Sequence, residues 1–414
     1  MPRKSGRPRT GKCKRINVLQ EFITAMKTSF IVFASIVLII YTFCNIYLYI
    51  RGYQALEIMG RRRIWFSALF WITALSFIAT QVLRMKNFSG VLFDAVSIVG
   101  SLWIAIMLYG FIIAMSVDIL RLVAWIFNIR FDFKHIDYNS IKAITFGTVC
   151  IALSAILIFG YNNALRPRTT HLEIPIDKHA GKLRQLRVAM VSDIHLGYII
   201  GAKELARIVD VINGQRPDIV VLVGDVFDSS SEPVIAKDMG AAFSRLQTKY
   251  GAYIAVGNHE YIGERAKRNA MTEGLNYLSS RGVQPLLDSV VLIDDSFYLA
   301  ARKDLMSGAR KTIPELLQGI NKNLPVILLD HQPFLLNEAE EAEVDLQLSG
   351  HTHHGQMWPL NYITGKLFEQ DWGFLQKGKS NFYVSCGAGT WGPPIRTAGY
   401  SEVVVIDLMF KNEK

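Results

Sequence analysis

Side chains that can bind metal ions recur in five short motifs between residues 193 and 354. The motifs read SDIHLG, VGDVFD, VGNHE, LLDHQP and SGHTHHGQ, and they hold six of the chain's nine histidines. Their candidate metal ligands are Asp193, His195, Asp225, Asn258, His331, His351 and His353. Histidine, carboxylate and amide groups are ligands of transition metals and of mixed hard-metal sites. Because these ligands are too numerous for one ion, the motifs predict a two-metal hydrolase.

The position of the motifs is as informative as their composition. Each motif follows an apolar run typical of a β-strand, and open α/β sheets bind ligands beyond the carboxyl ends of their strands. Asp193 and His195 are two residues apart, so in an extended segment their side chains would point the same way. A glycine precedes Asp225, Asn258 and His351, which allows tight turns and close backbone approach. We therefore expect five loops to converge on one spot. The alternative is that these residues are ordinary polar groups at strand ends.

The strands that would carry these loops belong to a C-terminal α/β domain at residues 183–410. The predicted strands are 187–191, 218–223, 252–256, 325–329 and 344–348, with FYVS and EVVVIDL near the C-terminus. VVLID and FYLAA predict a hairpin, and the predicted helices are 202–213, 235–248, 270–280 and 335–342. This order predicts helices packed outside a central sheet. Residues 161–182 are expected to form a linker with one short strand, LEIPI.

The first 160 residues contain four stretches long enough to cross a bilayer as helices of about 20 residues. They are 28–50, 64–83, 95–117 and 143–160. The first and third are uncharged and read apolar on every face, unlike the amphipathic helices of a soluble core. A buried core helix is the alternative for the fourth and shortest stretch. The sequence predicts an all-α transmembrane domain of four helices at residues 28–160, preceded by a basic tail at 1–27.

The basic tail favours a cytoplasmic N-terminus, because positively charged flanks of membrane spans stay on the cytoplasmic side. It contains eight Lys or Arg residues. Four spans would then return the C-terminal domain to the cytoplasm, as part of a multi-pass protein of the cell membrane. Basic residues at Arg51, 61–63 and Arg121 oppose this orientation, and a fourth stretch that did not span the membrane would reverse it.

The net charge of +10 could indicate a nucleic-acid partner. Much of this charge lies beside the predicted spans, where basic residues set topology and attract anionic lipid headgroups. We therefore expect membrane lipids as partners and no nucleic acid. Cys386 is the one cysteine of the C-terminal domain, so no disulfide can form within it and cysteine usage leaves the compartment open.

The motif series D-x-H, G-D, G-N-H-E, H and G-H-x-H resembles the calcineurin-like metallophosphoesterases over residues 186–408. GHTHHGQ and GTWGPPIR resemble a bacterial membrane-associated branch of that superfamily, which includes phosphohydrolases and UDP-2,3-diacylglucosamine diphosphatases. The resemblance implies an α/β fold with a central β-sandwich and a dinuclear metal site, and it leaves the four apolar stretches uncovered. The mixed nitrogen and oxygen ligands suit Mn, Fe or Zn better than Ca.

The resemblance also implies a role for each site residue. Asp193, His195 and His353 would hold the first metal, Asn258, His331 and His351 the second, and the Asp225 carboxylate would bridge both. His259 would protonate the leaving group or stabilise the transition state, with a structural histidine as the alternative. Glu260 stands where most members have Asp, at a position that orients His259. His354 is expected to face the substrate or support a ligand rather than bind metal.

Together these features predict a membrane enzyme that hydrolyses a phosphoester or pyrophosphate bond with two divalent metal ions. A bilayer tether would suit a lipid-linked substrate, but it would also serve a protein or nucleotide phosphatase. A metal-binding sensor or scaffold without turnover is a hypothesis of another class. A transporter is not indicated, because the predicted spans lack charges within the membrane. Trp358, Trp372 and Trp391 either line an acyl or nucleoside pocket or simply pack against neighbours.

Overall fold

Four long apolar helices form the N-terminal part of the chain. The computed structural model describes residues 35–85, 90–129 and 137–411, together with residues 32 and 88. The helices are α1 (Ser35–Ala55), α2 (Arg63–Met85), α3 (Val91–Ile126) and α4 (Tyr138–Leu165), with a 3-10 helix at Glu57–Arg62. Each apolar helix has the length and composition needed to cross a membrane. The prediction of four apolar helices is confirmed, although the basic tail and the start of the first predicted span lie outside the described residues.

Contacts divide the chain into two compact units, and one of them contains the described residues up to Ala74 together with Met107–Ile151. Asp118 on α3 is the charged centre of this unit. The Tyr47 hydroxyl donates a hydrogen bond of 2.6 Å to its carboxylate, and Arg51 and Arg121 form ion pairs with it. The charges of Asp118, Arg51 and Arg121 are therefore paired, which lowers the energetic cost of placing them near a membrane.

The second unit comprises Leu75–Ile106 and the chain from Ala152 onward. It contains two six-stranded sheets, in the order β1-β12-β2-β3-β4-β5 and β10-β11-β9-β8-β7-β6. The first sheet holds β1 (Arg168–Ile176), β2 (Gln185–Val191), β3 (Ile219–Val223), β4 (Ala252–Ala255), β5 (Val283–Leu286) and β12 (Glu402–Phe410). The second holds β6 (Ser289–Ile293), β7 (Phe297–Ala301), β8 (Val326–Leu329), β9 (Leu346–Ser349), β10 (Gly373–Lys377) and β11 (Ser380–Val384).

Seven helices connect these strands. They are α5 (Ala202–Gly214), α6 (Glu232–Ala236), α7 (Asn258–Ala266), α8 (Ala270–Ser280), α9 (Ile313–Leu316), α10 (Leu336–Glu341) and α11 (Asn361–Leu367). The predicted helices 202–213, 270–280 and 335–342 agree with α5, α8 and α10 to within a residue at each end. The expected α/β fold with a central β-sandwich is confirmed.

The strands that precede the motifs run in parallel. β2, β3, β4 and β5 form parallel pairs in the first sheet, and β7, β8 and β9 do so in the second. Parallel strands end at a common edge, and ligands bind beyond that edge. The five motifs with candidate metal ligands follow β2, β3, β4, β8 and β9, so pairing within each sheet brings their loops together.

A continuous hydrophobic core holds the two sheets face to face. It contains Val188 and Ile406 of the first sheet and Phe297 and Leu329 of the second, all of them buried. All five residues of β3 are buried, as expected for a central parallel strand covered on both faces. The apolar runs in the sequence therefore correspond to the strands that the sandwich buries most completely.

Two parts of this unit differ from the sequence-based expectation. The predicted helix 235–248 is wrong, because the chain forms the short α6 and then a 3-10 helix at Ala241–Arg245. Asp238 lies in the left-handed region with a φ of 47°, and the Gly240 backbone N–H donates a 2.9 Å hydrogen bond to Tyr277, so the helix cannot continue. The segment 161–182, expected to be a linker with the short strand LEIPI, contains that strand within the longer β1, which pairs in parallel with β12 over nine residues, and it also contributes the end of α4.

We expect Phe297→Ala to destabilise the protein strongly. Its ring is fully buried between the two sheets, and removing such a side chain typically costs about 3–5 kcal/mol. Phe374→Ala on β10 is the matched control, because that ring is 42% exposed and should change stability by less than about 0.5 kcal/mol. Thermal unfolding of the detergent-solubilised protein measures both. Equal midpoints for the two variants would contradict a core between the sheets.

Candidate metal centre

The loops after β2, β3 and β9 are joined by hydrogen bonds. The backbone N–H groups of Asp193 and His195 donate to the carbonyls of Gly224 and Asp225, each over 3.0 Å. The backbone N–H of His351 donates to both carboxylate oxygens of Asp193, at 3.0 and 3.1 Å. Motifs that are up to 158 residues apart in sequence therefore form one continuous surface.

Several candidate ligands have strained backbone conformations. Asp193, His195, Asp225, His351 and His353 all lie in the left-handed region, with φ between 50° and 74°. Such conformations are unusual for residues with a side chain and concentrate at functional sites. The expectation that Asp193 and His195 occupy an extended segment is therefore wrong for the backbone, although both side chains reach the same cluster.

Asp193, His195 and His353 form the first cluster, and their candidate ligand atoms lie within 4.8 Å of one another. The Nε2 atoms of the two histidines are 3.0 Å apart, and that of His353 is 3.4 Å from Asp193 Oδ1. Two nitrogens bound at about 2.0–2.1 Å to one cation and set at a right angle would be about 3 Å apart. The spacing of this cluster therefore fits one metal ion.

Asp225, His331 and His351 form the second cluster, again within 4.8 Å. The Nε2 atom of His331 lies 3.1 Å from Asp225 Oδ2, and His195 Nε2 of the first cluster lies 3.9 Å from the same oxygen. The Asp225 carboxylate is thus within reach of both clusters. This is the position that a bridging carboxylate requires.

Asn258 lies next to the second cluster. It begins α7, directly before His259, whose backbone N–H donates a 2.8 Å hydrogen bond to Asp225 Oδ1. The side-chain oxygen of Asn258 is buried and has no hydrogen-bond partner among the described residues. Buried polar atoms without partners are rare, so this oxygen fits the position of a metal ligand.

The hydrogen bonding of His331 fixes which of its nitrogens is available. Its Nδ1 lies 2.7 Å from the carbonyl oxygen of Val223, and a carbonyl can only accept a hydrogen bond. Nδ1 must therefore carry a proton, so Nε2 is the nitrogen that can bind a metal. Although burial opposes it, the Asp225 carboxylate, 3.1 Å from Nε2, raises the pKa of His331, so a metal ion bound there would displace the Nε2 proton. A backbone carbonyl that holds a metal-ligating histidine in one tautomer is a common arrangement in metal sites.

The electrostatics keep four of the candidate ligands in the form that binds cations. Burial lowers the pKa of His195 to about 3 and that of His351 to about 4, and it also lowers the pKa of His353. Although burial opposes it, His331 beside the carboxylate holds the pKa of Asp225 well below its ordinary value. At neutral pH these three histidines are uncharged donors of a lone pair and Asp225 is an anion.

A protein-family model described as calcineurin-like phosphoesterase matches residues 186–355. An uncharacterized metallophosphoesterase of Helicobacter pylori (strain ATCC 700392 / 26695) is 30% identical over 288 residues, which cover 69% of this chain and 75% of the relative. The chain belongs to the calcineurin-like phosphoesterase family.

Two further relatives extend the similarity beyond the phosphoesterase domain. An uncharacterized metallophosphoesterase of Campylobacter jejuni is 29% identical over 391 residues, 92% of this chain and 99% of the relative. A transmembrane protein with metallophosphoesterase domain from Danio rerio is 32% identical over 278 residues, 63% of this chain. The chain spans 62% of the length of the Danio rerio protein.

The surroundings of His259 differ from expectation. Its Nδ1 lies 2.9 Å from the Ser229 hydroxyl and 3.7 Å from the Asp228 carboxylate. Glu260 was expected to orient His259, but its carboxylate instead accepts hydrogen bonds from the backbone N–H groups of Asp225, Phe227 and Gly257. Glu260 therefore holds two ligand-bearing loops together, while Asp228 and Ser229 position the histidine. The sequence contained Asp228 within VGDVFD but gave no separate signal for its role.

Arg396 is a second group that the sequence did not reveal. It is fully buried, its guanidinium donates a hydrogen bond to the Gly389 carbonyl over 2.6 Å, and Nη2 lies 3.3 Å from His353 Nδ1. The GTWGPPIR segment thus contacts His353 through Nδ1, the ring nitrogen that faces away from the cluster.

His354 is in neither cluster, and its Nδ1 lies 2.9 Å from the Asp371 carboxylate.

We expect Gly257→Ala to reduce the amount of bound metal sharply. An added Cβ would collide with the Asp225 carboxylate and lie 2.6 Å from its backbone nitrogen and 2.8 Å from His331. Gly214→Ala is the matched control, since nothing lies within 4 Å of its Cβ position. Metal content of the purified variants by mass spectrometry checks the prediction. Normal metal content in Gly257→Ala would show that Asp225 and His331 do not bind the same metal ion.

Proposed function

We propose that the protein is a membrane-anchored phosphoesterase that uses two metal ions to hydrolyse a phosphoester or pyrophosphate bond. The observation that carries the proposal is the pair of adjacent ligand clusters, in which Asp225 of the second cluster lies 3.9 Å from His195 of the first. In this proposal Asp193, His195 and His353 hold one ion, Asn258, His331 and His351 hold the other, and Asp225 bridges them. The mixed nitrogen and oxygen ligands favour Mn, Fe or Zn.

When bound, such metals polarise a phosphoryl oxygen and lower the pKa of an attacking water. The ligands themselves contribute by keeping the charge of the site low. Three of them are histidines that remain neutral at pH 7, and Asn258 is neutral at any pH, so an anionic phosphate ester is not repelled. The carboxylates of Asp193 and Asp225 are the ligands that carry negative charge.

His259 is the proposed proton donor to the leaving group. Its ring lies at 81° to that of His195, with the centroids 4.5 Å apart, so it borders the first cluster without belonging to it. Ser229 and Asp228 approach Nδ1, which leaves Nε2 as the nitrogen that can reach a leaving-group oxygen. A fixed orientation of this kind is what general acid catalysis requires.

The membrane anchor is supported by the four apolar helices and by a short connection to the phosphoesterase domain. Only two residues, Arg166 and Pro167, separate the end of α4 at Leu165 from the start of β1 at Arg168. The domain would therefore stay close to the bilayer, on the cytoplasmic side if the basic tail sets the orientation. This closeness favours a lipid-linked substrate, such as a nucleotide-activated glycolipid of the UDP-2,3-diacylglucosamine type.

We expect the purified full-length protein to hydrolyse phosphoesters only when metal is present. A panel of phosphate monoesters, diesters and nucleotide pyrophosphates, assayed with Mn or Zn, should reveal release of phosphate or nucleotide. Treatment with a chelator should abolish the activity, and added metal should restore it. A folded, metal-loaded sample that cleaves no member of the panel would contradict the proposal and favour a scaffold.

We expect two variants to separate metal binding from proton donation. Asp225→Asn should lose bound metal and activity together, by more than about a hundredfold, because partners outside the ligand shell alone contribute about 10–100-fold. His259→Asn should keep its metal and lower kcat by about 10²–10⁴. Asp210→Asn at an exposed position of α5 is the control and should change neither. Loss of metal in His259→Asn would show that His259 is needed for metal binding, which contradicts its proposed role as a proton donor alone.

A further inference from the structure

A cavity of about 500 Å³ lies where α3 and α4 approach two loops of the phosphoesterase domain. α3 contributes Leu102 and Ile106, α4 contributes Leu157, and the two loops contribute Ile199 and Ile395. Sites for small molecules typically have volumes of about 300–1,000 Å³. The cavity is therefore large enough to bind a ligand, and the chemistry of its walls determines which kind.

The walls of this cavity offer few polar groups. Glu204 and Tyr161 are the polar side chains among its lining residues. The Glu204 carboxylate already accepts a 3.1 Å hydrogen bond from the Gly201 backbone N–H at the start of α5. A nucleobase or a peptide would leave several polar groups without partners in such a space, whereas a hydrocarbon chain needs none. The lining therefore favours an alkyl chain.

Two lining residues of the cavity, Ile199 and Ile395, are close in sequence to residues of the metal centre. Ile395 precedes Arg396, whose Nη2 lies 3.3 Å from His353 Nδ1. Ile199 follows His195 by four residues, so their Cα atoms are at most about 14 Å apart at about 3.6 Å per residue. A molecule with its phosphate at the metals could thus extend a chain into the cavity.

The remaining walls belong to helices that are long and apolar enough to cross a membrane. A chain that enters between α3 and α4 would pass from lipid into an apolar cavity without exposure to water. At the end of α2, Arg84 Nη2 lies 3.9 Å from the Asp228 carboxylate, next to His259. This places a cation beside the metal centre, where it suits the anionic headgroup of an amphiphile.

We infer that this cavity binds one acyl chain of an amphiphilic phosphoester, whose phosphate lies at the metal centre. The position of the phosphate rests on the proposed function, whereas the binding of the chain does not require turnover. The substrate class is therefore a phosphate ester with at least one acyl chain, taken directly from the bilayer.

Photo-crosslinking of the full-length protein in nanodiscs tests the chain site without using activity. The nanodiscs would contain phosphatidylethanolamine and phosphatidylglycerol, doped with a phosphatidic acid that carries a diazirine on one acyl chain. We expect adducts at Ile199, Pro394 or Ile395, which line the cavity from loops of the phosphoesterase domain. Leu102→Trp fills the cavity and should reduce these adducts at least about fourfold, the effect of leaving one methylene unburied.

Leu75→Trp is the matched control, because Leu75 lies on α2 outside the cavity and is 56% exposed. It should keep the adducts of the unmodified protein. Adducts confined to outward-facing helix residues, or unchanged adducts in Leu102→Trp, would overturn the inference. Adducts at the loops without any phosphoester hydrolysis would instead overturn the proposed function and leave the chain site standing.

A series of alkylphosphonates gives a second test at the metal-loaded protein. Calorimetry in nanodiscs, corrected with empty nanodiscs, would compare methyl-, butyl- and octylphosphonate. We expect affinity to rise about fourfold for each methylene that becomes buried. Leu102→Trp should lose this dependence on chain length, and Leu75→Trp should keep it. Hydrolysis of soluble esters together with no dependence on chain length would reject the acyl site alone.

Discussion

A buried carboxylate at the junction of the two sheets is the constraint on which the site depends. Asp225 is 2% exposed, and its oxygens face the backbone N–H of His259 and the Nε2 atoms of His331 and His195. An anion in such a place is costly unless positive charge accompanies it. Ligands that could hold cations beside Asp225 come from loops of both sheets, so the carboxyl ends of these strands must reach one edge. Parallel pairing of β2 with β3 and of β8 with β9 achieves that arrangement.

Buried charged groups behind the ligands stabilise the strained loops. Glu260 joins the loops after β3 and β4 through three backbone N–H groups. Glu402 is fully buried and accepts hydrogen bonds from the Cys386 backbone, the Trp372 indole and the Tyr383 hydroxyl. Such fully satisfied networks are rigid. Their rigidity can hold ligand residues in left-handed conformations that an isolated loop would abandon.

Patterns in the sequence predicted what depends on local periodicity and composition. The β3 strand is a run of apolar β-branched residues that the sandwich buries, and the β6–β7 hairpin follows from two such runs close together. The helix expected at 235–248 failed because a tertiary contact from Tyr277 accompanies a left-handed turn at Asp238. The role of Arg396 was invisible because its contact with His353 spans 43 residues and no spacing rule encodes it. The convergence of side chains that lie within the motifs was thus predictable, and contacts with residues far away in sequence were not.

The first strand after the apolar helices pairs with the last strand of the chain. β1 and β12 match over nine residues, from the Arg168 and Glu402 pair to the Ile176 and Phe410 pair. During synthesis β1 emerges long before its partner, and pairing across such a separation is slow because the loop must close first. Until β12 has been synthesised, β1 and β2 lack the strand that lies between them. Completion of this sheet therefore waits for a strand made late, and the four apolar helices are synthesised well before the sheet can close.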